Sequence, residues 1–340
     1  MPWPIAQSPN IKRHAPPLSW DTAVQAAAAP TATAQTSLSI SIVIPVLNRA
    51  SMVRAAIESI LAQNGPPVEI IVADGGSTDG TIDIIGQFPQ VRLLPGPDAD
   101  AHDGMNRGAA AAKGDVIGFL ASDDVYLPDA FDSVRQAFAK APLAVAVAAP
   151  ALVFRTTSDG TREVTKTIHQ PATTDVLADE VLFGTPAINA WFIRKAAFDT
   201  PEPFRRDLAF AGDRAFLLHL IADGNRITVL DHPIYGYGEH PHSSTLDAAG
   251  SQGAIIVADH ITLASELLTS PSASAINRRA LRAWLAFESV HLILMQASQA
   301  GWISTFGKLI FLFASQPLWP LRILDAIRRW RRLHKATIGR

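Results

Sequence analysis

The chain of 340 residues has no cysteine. That removes disulfides, zinc–thiolate centres and cysteine nucleophiles from consideration, so any metal must use oxygen or histidine ligands. A formal net charge of −2 supplies no field for wrapping nucleic acid, and no nucleic-acid partner is expected. No uninterrupted apolar core follows the N-terminus, so a secretory signal is not expected and the reading is cytoplasmic. No glycine fingerprint G-x-G-x-x-G follows the first predicted strand, which argues against a nicotinamide dehydrogenase. The loop there, PVLNRA, also lacks the glycine-rich phosphate cradle of a sugar-phosphate nucleotidyltransferase. No internal repeat is present.

What is present begins at Ser39. Residues 1–37, rich in Pro, Ala and Thr, read as a flexible leader. Ser39–Pro45, Val68–Ala73, Val91–Leu94 and Val116–Leu120 are short β-branched apolar runs that predict buried strands. Between them Val53, Ile57, Ile60 and Leu61, on a helix expected to end near Asn64–Gly65, and the segments Thr81–Phe88 and Gly104–Ala112 have helical spacing. Alternation with short loops predicts an α/β fold with a mostly parallel central sheet flanked by helices. Further on, Asp129–Lys140 and Asp213–Ala222 read as helices, and Ala144–Phe154, Thr161–Thr167, Arg226–Leu230 and Pro233–Tyr237 as strands. From about Ser251 the chain is mostly helical. The divisions expected are 38–245 for the main domain (38–128 and 129–245 as its halves) and 246–340 for a helical extension.

Ligands of such sheets bind beyond the carboxyl ends of the strands, and the loops there hold unusual residues. Ser122-Asp123-Asp124 directly follows VIGFL. Two adjacent carboxylates suit a ribose and a hard divalent cation, Mg²⁺ or Mn²⁺, that neutralises a diphosphate; a solvated turn is the plainer reading. Asp74 ends the second predicted strand ahead of Gly75-Gly76, where its carboxylate can accept a ring N–H of a base and the glycines let a ligand approach. Pro45, Val46 and Asn48 occupy the loop after the first strand. Taken singly, each of these loops is also an ordinary turn.

Together they resemble the family 2 glycosyltransferases of the GT-A fold. The matching strings are SIVIPVLNRA, IESILAQ, VEIIVADGGSTDGT, DGMNRGAAAAKGDVIGFLASDD and YLPDAF, covering roughly 39–131. The resemblance implies an inverting transfer of sugar from a nucleotide-diphosphate donor to a glycan or lipid-linked acceptor in surface polysaccharide assembly. A scaffold that binds nucleotide sugar without catalysis is the alternative. By the same resemblance, Pro45, Val46, Asn48, Asp74, Asp103, Asn106 and Asp123 meet the donor and Asp124 takes the metal. His102 stands where one bacterial branch carries tyrosine. Asp213, in Ala-Gly-Asp-Arg, matches the acceptor's base, needed opposite the leaving group; a helix-start acid is the competing role. His240 and His242 are further metal or phosphate candidates, and Pro186, Asn189 and Trp191 are candidates for the acceptor cleft. Finally, an apolar stretch in 301–324 is followed by Arg328, Arg329, Arg331, Arg332 and Lys335. Too short to span a bilayer, it suits the inner membrane face as a peripheral anchor.

Overall fold

A computed structural model describes residues 19–27, 38–98, 100–168, 174–184, 186–239, 253–270, 276–297 and 302–338. The first element is helix α1 (Trp20–Ala27). Strands β1 (Ile40–Val46), β2 (Glu69–Asp74) and β3 (Val91–Pro95) then alternate with helices α2 (Val53–Leu61) and α3 (Thr81–Ile85). Helix α4 (Ala101–Ala111) leads to β4 (Val116–Phe119), the short β5 (Val125–Tyr126) and α5 (Ala130–Lys140). Next come β6 (Ala146–Ala148), β7 (Ala151–Thr156), β8 (Arg162–Ile168), α6 (Thr174–Phe183), β9 (Trp191–Arg194) and α7 (Gly212–Ala222). Strands β10 (Ile227–Val229) and β11 (Tyr235–Gly238) close the sheets. Helices α8 (Gly253–Thr269), α9 (Arg278–Met295), α10 (Trp302–Ser315) and α11 (Trp319–Ile338) follow.

The large sheet runs β10-β6-β9-β4-β1-β2-β3. Its pairs are parallel except those made by β9, which is antiparallel to β4 and β6. Because side chains alternate along a strand, β1 divides its residues between two cores. Val43, with Ile71 and Ile117, packs beneath α4 and the C-terminal helices. Ile42 and Ile44, with Ile70 and Val72, pack with α2 and α5. Each fully buried aliphatic side chain stabilises by about 1.5–3 kcal/mol as an upper figure, so burial on both faces holds β1 at the centre. The first core continues into Leu263, Trp284 and Ala326, which joins the helical extension to the sheet.

The chain order places the site. From β1 the chain winds outward through β2 and β3, then returns to place β4 on the other side of β1. That reversal opens a crevice at the carboxyl ends of β1 and β4, the usual ligand position in open α/β sheets.

Three local readings differ from the structure. The run expected as one strand over Ala144–Phe154 is two strands in different sheets, β6 and β7, parted at Ala149-Pro150. Proline has no N–H for a ladder, and the chain changes sheet there. Within the expected leader, residues 19–27 are folded: Trp20 packs edge-on against Phe154 at 4.7 Å, and the Arg162 guanidinium lies 5.4 Å over its ring. Trp191, a candidate for the acceptor cleft, is instead fully buried in β9.

Candidate functional site

Asp74 is the last residue of β2 and is 1% exposed. Its Oδ2 accepts from the Gly76 and Ser77 N–H groups at 2.9 and 3.0 Å. Its Oδ1 is buried with no hydrogen-bond partner. A buried carboxylate oxygen left unpaired costs free energy, so this atom is an acceptor waiting for a donor. The neighbouring loop is braced without it. Asn48, held at φ 54°, gives its N–H to Ser77 Oγ at 2.8 Å and accepts from the Thr78 N–H at 2.9 Å. The Arg49 and Ala50 N–H groups bond Thr81 Oγ1 and Asp79 Oδ2. The loops after β1 and β2 are thus one rigid unit, with Asn48 as its strut.

Asp98, beyond the end of β3, was missed by the sequence reading. Burial pushes its carboxyl up, Arg107 opposes this, and Asp103 and Asp74 add repulsion. Arg107 Nη2 lies 2.5 Å from Asp98 Oδ1 and donates to the Asp74 carbonyl at 3.0 Å. Asp98 reaches over α4, where a Cβ on Gly104 would lie 2.8 Å from its Oδ2 and 3.1 Å from Pro45. Only glycine permits that approach. The rule that singled out the other strand ends applied to β3 as well, so the signal was available.

Asp123 and Asp124 follow β4 but differ sharply. Asp123 is half-exposed; Asp124 is 1% exposed. The Tyr235 hydroxyl donates to Asp124 Oδ2, the Gly238 N–H donates to Oδ1 at 2.7 Å, and Asn189 also bonds the carboxyl. Burial, with repulsion from Asp123, pushes this carboxyl up to about 8. Tyr235 and Gly238 belong to β11 of the small sheet, β5-β11-β7-β8, so Asp124 ties the two sheets together. Asn189, a cleft candidate in the sequence, serves this tie.

Asp103 lies in the first turn of α4, where its N–H is capped by Asp100 and its carboxylate pairs with Arg206 at 3.3 Å. Asn106, expected at the donor pocket, has both ends of its amide engaged by Phe204: Nδ2 donates to the carbonyl at 2.7 Å and Oδ1 accepts from the N–H at 2.9 Å. It clamps the 204 segment to α4. The buried His102 ring lies against Gly212, where a Cβ would come within 3.0 Å of Nδ1. This contact sets Asp213, in the first turn of α7, beside the start of α4. Asp213 is half-exposed, and its Oδ1 accepts from the Arg214 N–H at 2.6 Å. His240 and His242 lie outside the described residues. Among the described residues no cluster of three or more acids and histidines forms a ready metal cage.

The arrangement therefore offers one acid at the end of β2 with a single unpaired oxygen, a half-exposed acid just after β4, and a third at the start of α7. Residues 41–199 match the family described as Glycosyl transferase family 2. Chondroitin synthase of Pasteurella multocida is 34% identical over 105 residues, 30% of this chain and 11% of that protein. The first curated relatives are matched over a third or less of their own length. Staphylococcus aureus TarS, solved in complex with UDP-GlcNAc, superposes with a TM-score of 0.59 at 17% identity, covering 88% of this chain and 91% of that one. A mannosyltransferase from Pyrobaculum calidifontis, solved with GDP-Man and Mn²⁺, gives 0.52 at 14% identity, covering 89% and 87%. Residues 41–199, a little under half of the chain, are thus similar to glycosyl transferase family 2, and the chain has the fold of the GT-A nucleotide-diphospho-sugar transferases.

Proposed function

We propose that the chain is an inverting glycosyltransferase that moves a sugar from a nucleotide-diphosphate donor to a hydroxyl of a glycan or lipid-linked acceptor in surface polysaccharide assembly. The observation carrying this reading is the unpaired Oδ1 of Asp74, buried at a strand end and bordered by Asp98. A nucleobase N–H satisfies it. Pro45, Val46 and Asn48, in and after the end of β1 beside Asp74, and Asp103 in the first turn of α4 are assigned to the same donor.

The metal assignment moves from Asp124 to Asp123. Both Asp124 oxygens already accept bonds from β11 and the group is buried, whereas Asp123 is half-exposed. A half-exposed aspartate oxygen is the kind of ligand a hard divalent cation takes. Asp123 would hold a divalent cation, which would supply the charge that a departing diphosphate needs. Asp213 accepts the proton of the attacking hydroxyl as that oxygen bonds to the anomeric carbon and the nucleoside diphosphate leaves from the opposite face. Acceptors of this class are presented on lipid, and attachment to that surface belongs to residues 302–338.

Thermal melting against UDP-, GDP- and dTDP-sugars, with and without Mn²⁺, tests the reading. A donor at 100 times its Kd adds about 2.7 kcal/mol, a shift of about 4 °C for a chain of this length. A Mn²⁺-dependent shift with one nucleotide class, absent in Asp74→Ala, is expected. No shift with any donor would overturn it.

A further inference from the structure

Among its described side chains, helix α10 leaves three large apolar ones exposed. Phe306, Ile310 and Phe311 are 61%, 67% and 75% exposed, while Thr305 is buried on the inner side. Its principal neighbour is α9. Leu321 and Leu324 of α11 are also exposed. Arg328, Arg331 and Arg332 continue the same outward stripe at steps of three and four residues, and all three are exposed. The opposite face of α11, with Trp319 and Ala326, is buried against α9. Not every cation is outward. Arg329 sits on the packed face and bonds both Asp179 oxygens at 2.6 and 2.8 Å.

Charge identifies the occupant of this face. Residues 302–338 hold seven Lys and Arg but one acid, in a chain whose net charge is −2. That acid, Asp325, is already paired with Arg279 and Arg329. We propose that the outward faces of α10 and α11 dock on an anionic lipid surface, the apolar side chains below the headgroups and Arg328, Arg331 and Arg332 among the phosphates. This deepens the membrane attachment in the proposed function and names its residues. The helices lie in the surface: among the described residues none is long and apolar enough to cross a membrane. A second copy is disfavoured, because a twofold contact through this face would set like cations opposite one another. Nucleic acid would leave Phe306, Ile310 and Phe311 uncovered.

The test sediments the full chain with vesicles of phosphatidylcholine alone, or with a third of phosphatidylglycerol, at low and high salt. Capture by the anionic vesicles, falling as salt rises, is expected. The triple variant R328Q/R331Q/R332Q should lower partition roughly 100-fold, at about fivefold per cation. F306S/F311S should also lower it. Donor-induced melting shifts, measured on the same variants, report folding and the nucleotide site separately; loss of those shifts alone would sink the transferase reading and leave the lipid surface standing. The proposal is overturned by absence of capture, by capture indifferent to the triple variant, or by a lipid-free dimer that F306S/F311S dissolves into monomers.

Discussion

Asp123 and Asp124 are neighbours in the chain with opposite tasks, and their variants should separate. Asp123→Asn leaves the β11 tie intact. It should keep the apo melting temperature and lose the Mn²⁺-dependent part of the donor shift. Asp124→Ala leaves the buried Tyr235 hydroxyl and Gly238 N–H without their acceptor. It should cost about 3 kcal/mol in denaturant unfolding. If Asp124→Ala were neutral in stability while abolishing the metal effect, the metal would belong to Asp124 after all. Asp213→Asn makes a third, distinct signature: donor binding unchanged, transfer rate lower by about 10²–10⁴, as for removal of a general base. A fall in donor affinity instead would mark Asp213 as a helix-start acid acting on the fold.

At the scale of elements, α4 works as a keystone between the two halves of the site. Its Asn106 clamps Phe204, its His102 meets Gly212, and its Gly104 admits Asp98 and Pro45. Asn106→Ala removes two hydrogen bonds across 98 residues of chain and should cost about 2 kcal/mol. If the clamp is its whole role, its effect on donor-induced melting should be small; a large loss of donor affinity would place Asn106 at the donor, as the family resemblance implies. The elements of the first half were legible in sequence because each is a short apolar run closed by Gly, Pro or Asp, and their predicted bounds lie within a few residues of those observed. The break at Pro150 and the antiparallel β9 were not legible. WFIR carries no mark of direction, and the pairing of β9 between β4 and β6 depends on segments far away in the chain. The site followed the same division. Asp74 and Asp123 announced themselves at strand ends, but the burial of Asp124 depends on Tyr235, Gly238 and Asn189, whose convergence no local pattern encodes.

Across the whole molecule, the helical extension meets the 38–245 domain where the buried Arg214 lies over Trp284. Arg214, next to Asp213, donates to the α6 carbonyls of Val181 and Leu182 and to that of Gly184 just beyond, and lies 5.9 Å over the Trp284 ring. Glu288 accepts from His260 at 2.9 Å and from the Trp284 indole at 3.1 Å, with His291 3.4 Å away. Burial would raise Glu288, but His260 and His291 hold it at about 2; burial and Arg214 together lower His260. Both shifts favour the unfolded chain on acidification. Below 6.5 the unfolded His260 takes up a proton that the buried ring resists, and below 4.5 the unfolded Glu288 does so while the native carboxylate stays charged until about 2. Stability from these groups is therefore complete above neutrality and lost as pH falls, at up to about 1.4 kcal/mol per pH unit for each group. Glu288→Gln should cost about 3 kcal/mol at pH 7 and flatten the decline between pH 4.5 and 3 relative to the parent. Denaturant unfolding of both proteins at pH 7, 5, 4 and 3 measures this difference directly. Parallel curves would mean that Glu288 does not hold its proton-free state in the folded chain. These side chains would then join α7 to α9 through packing alone, and the position of Asp213 would be insensitive to pH.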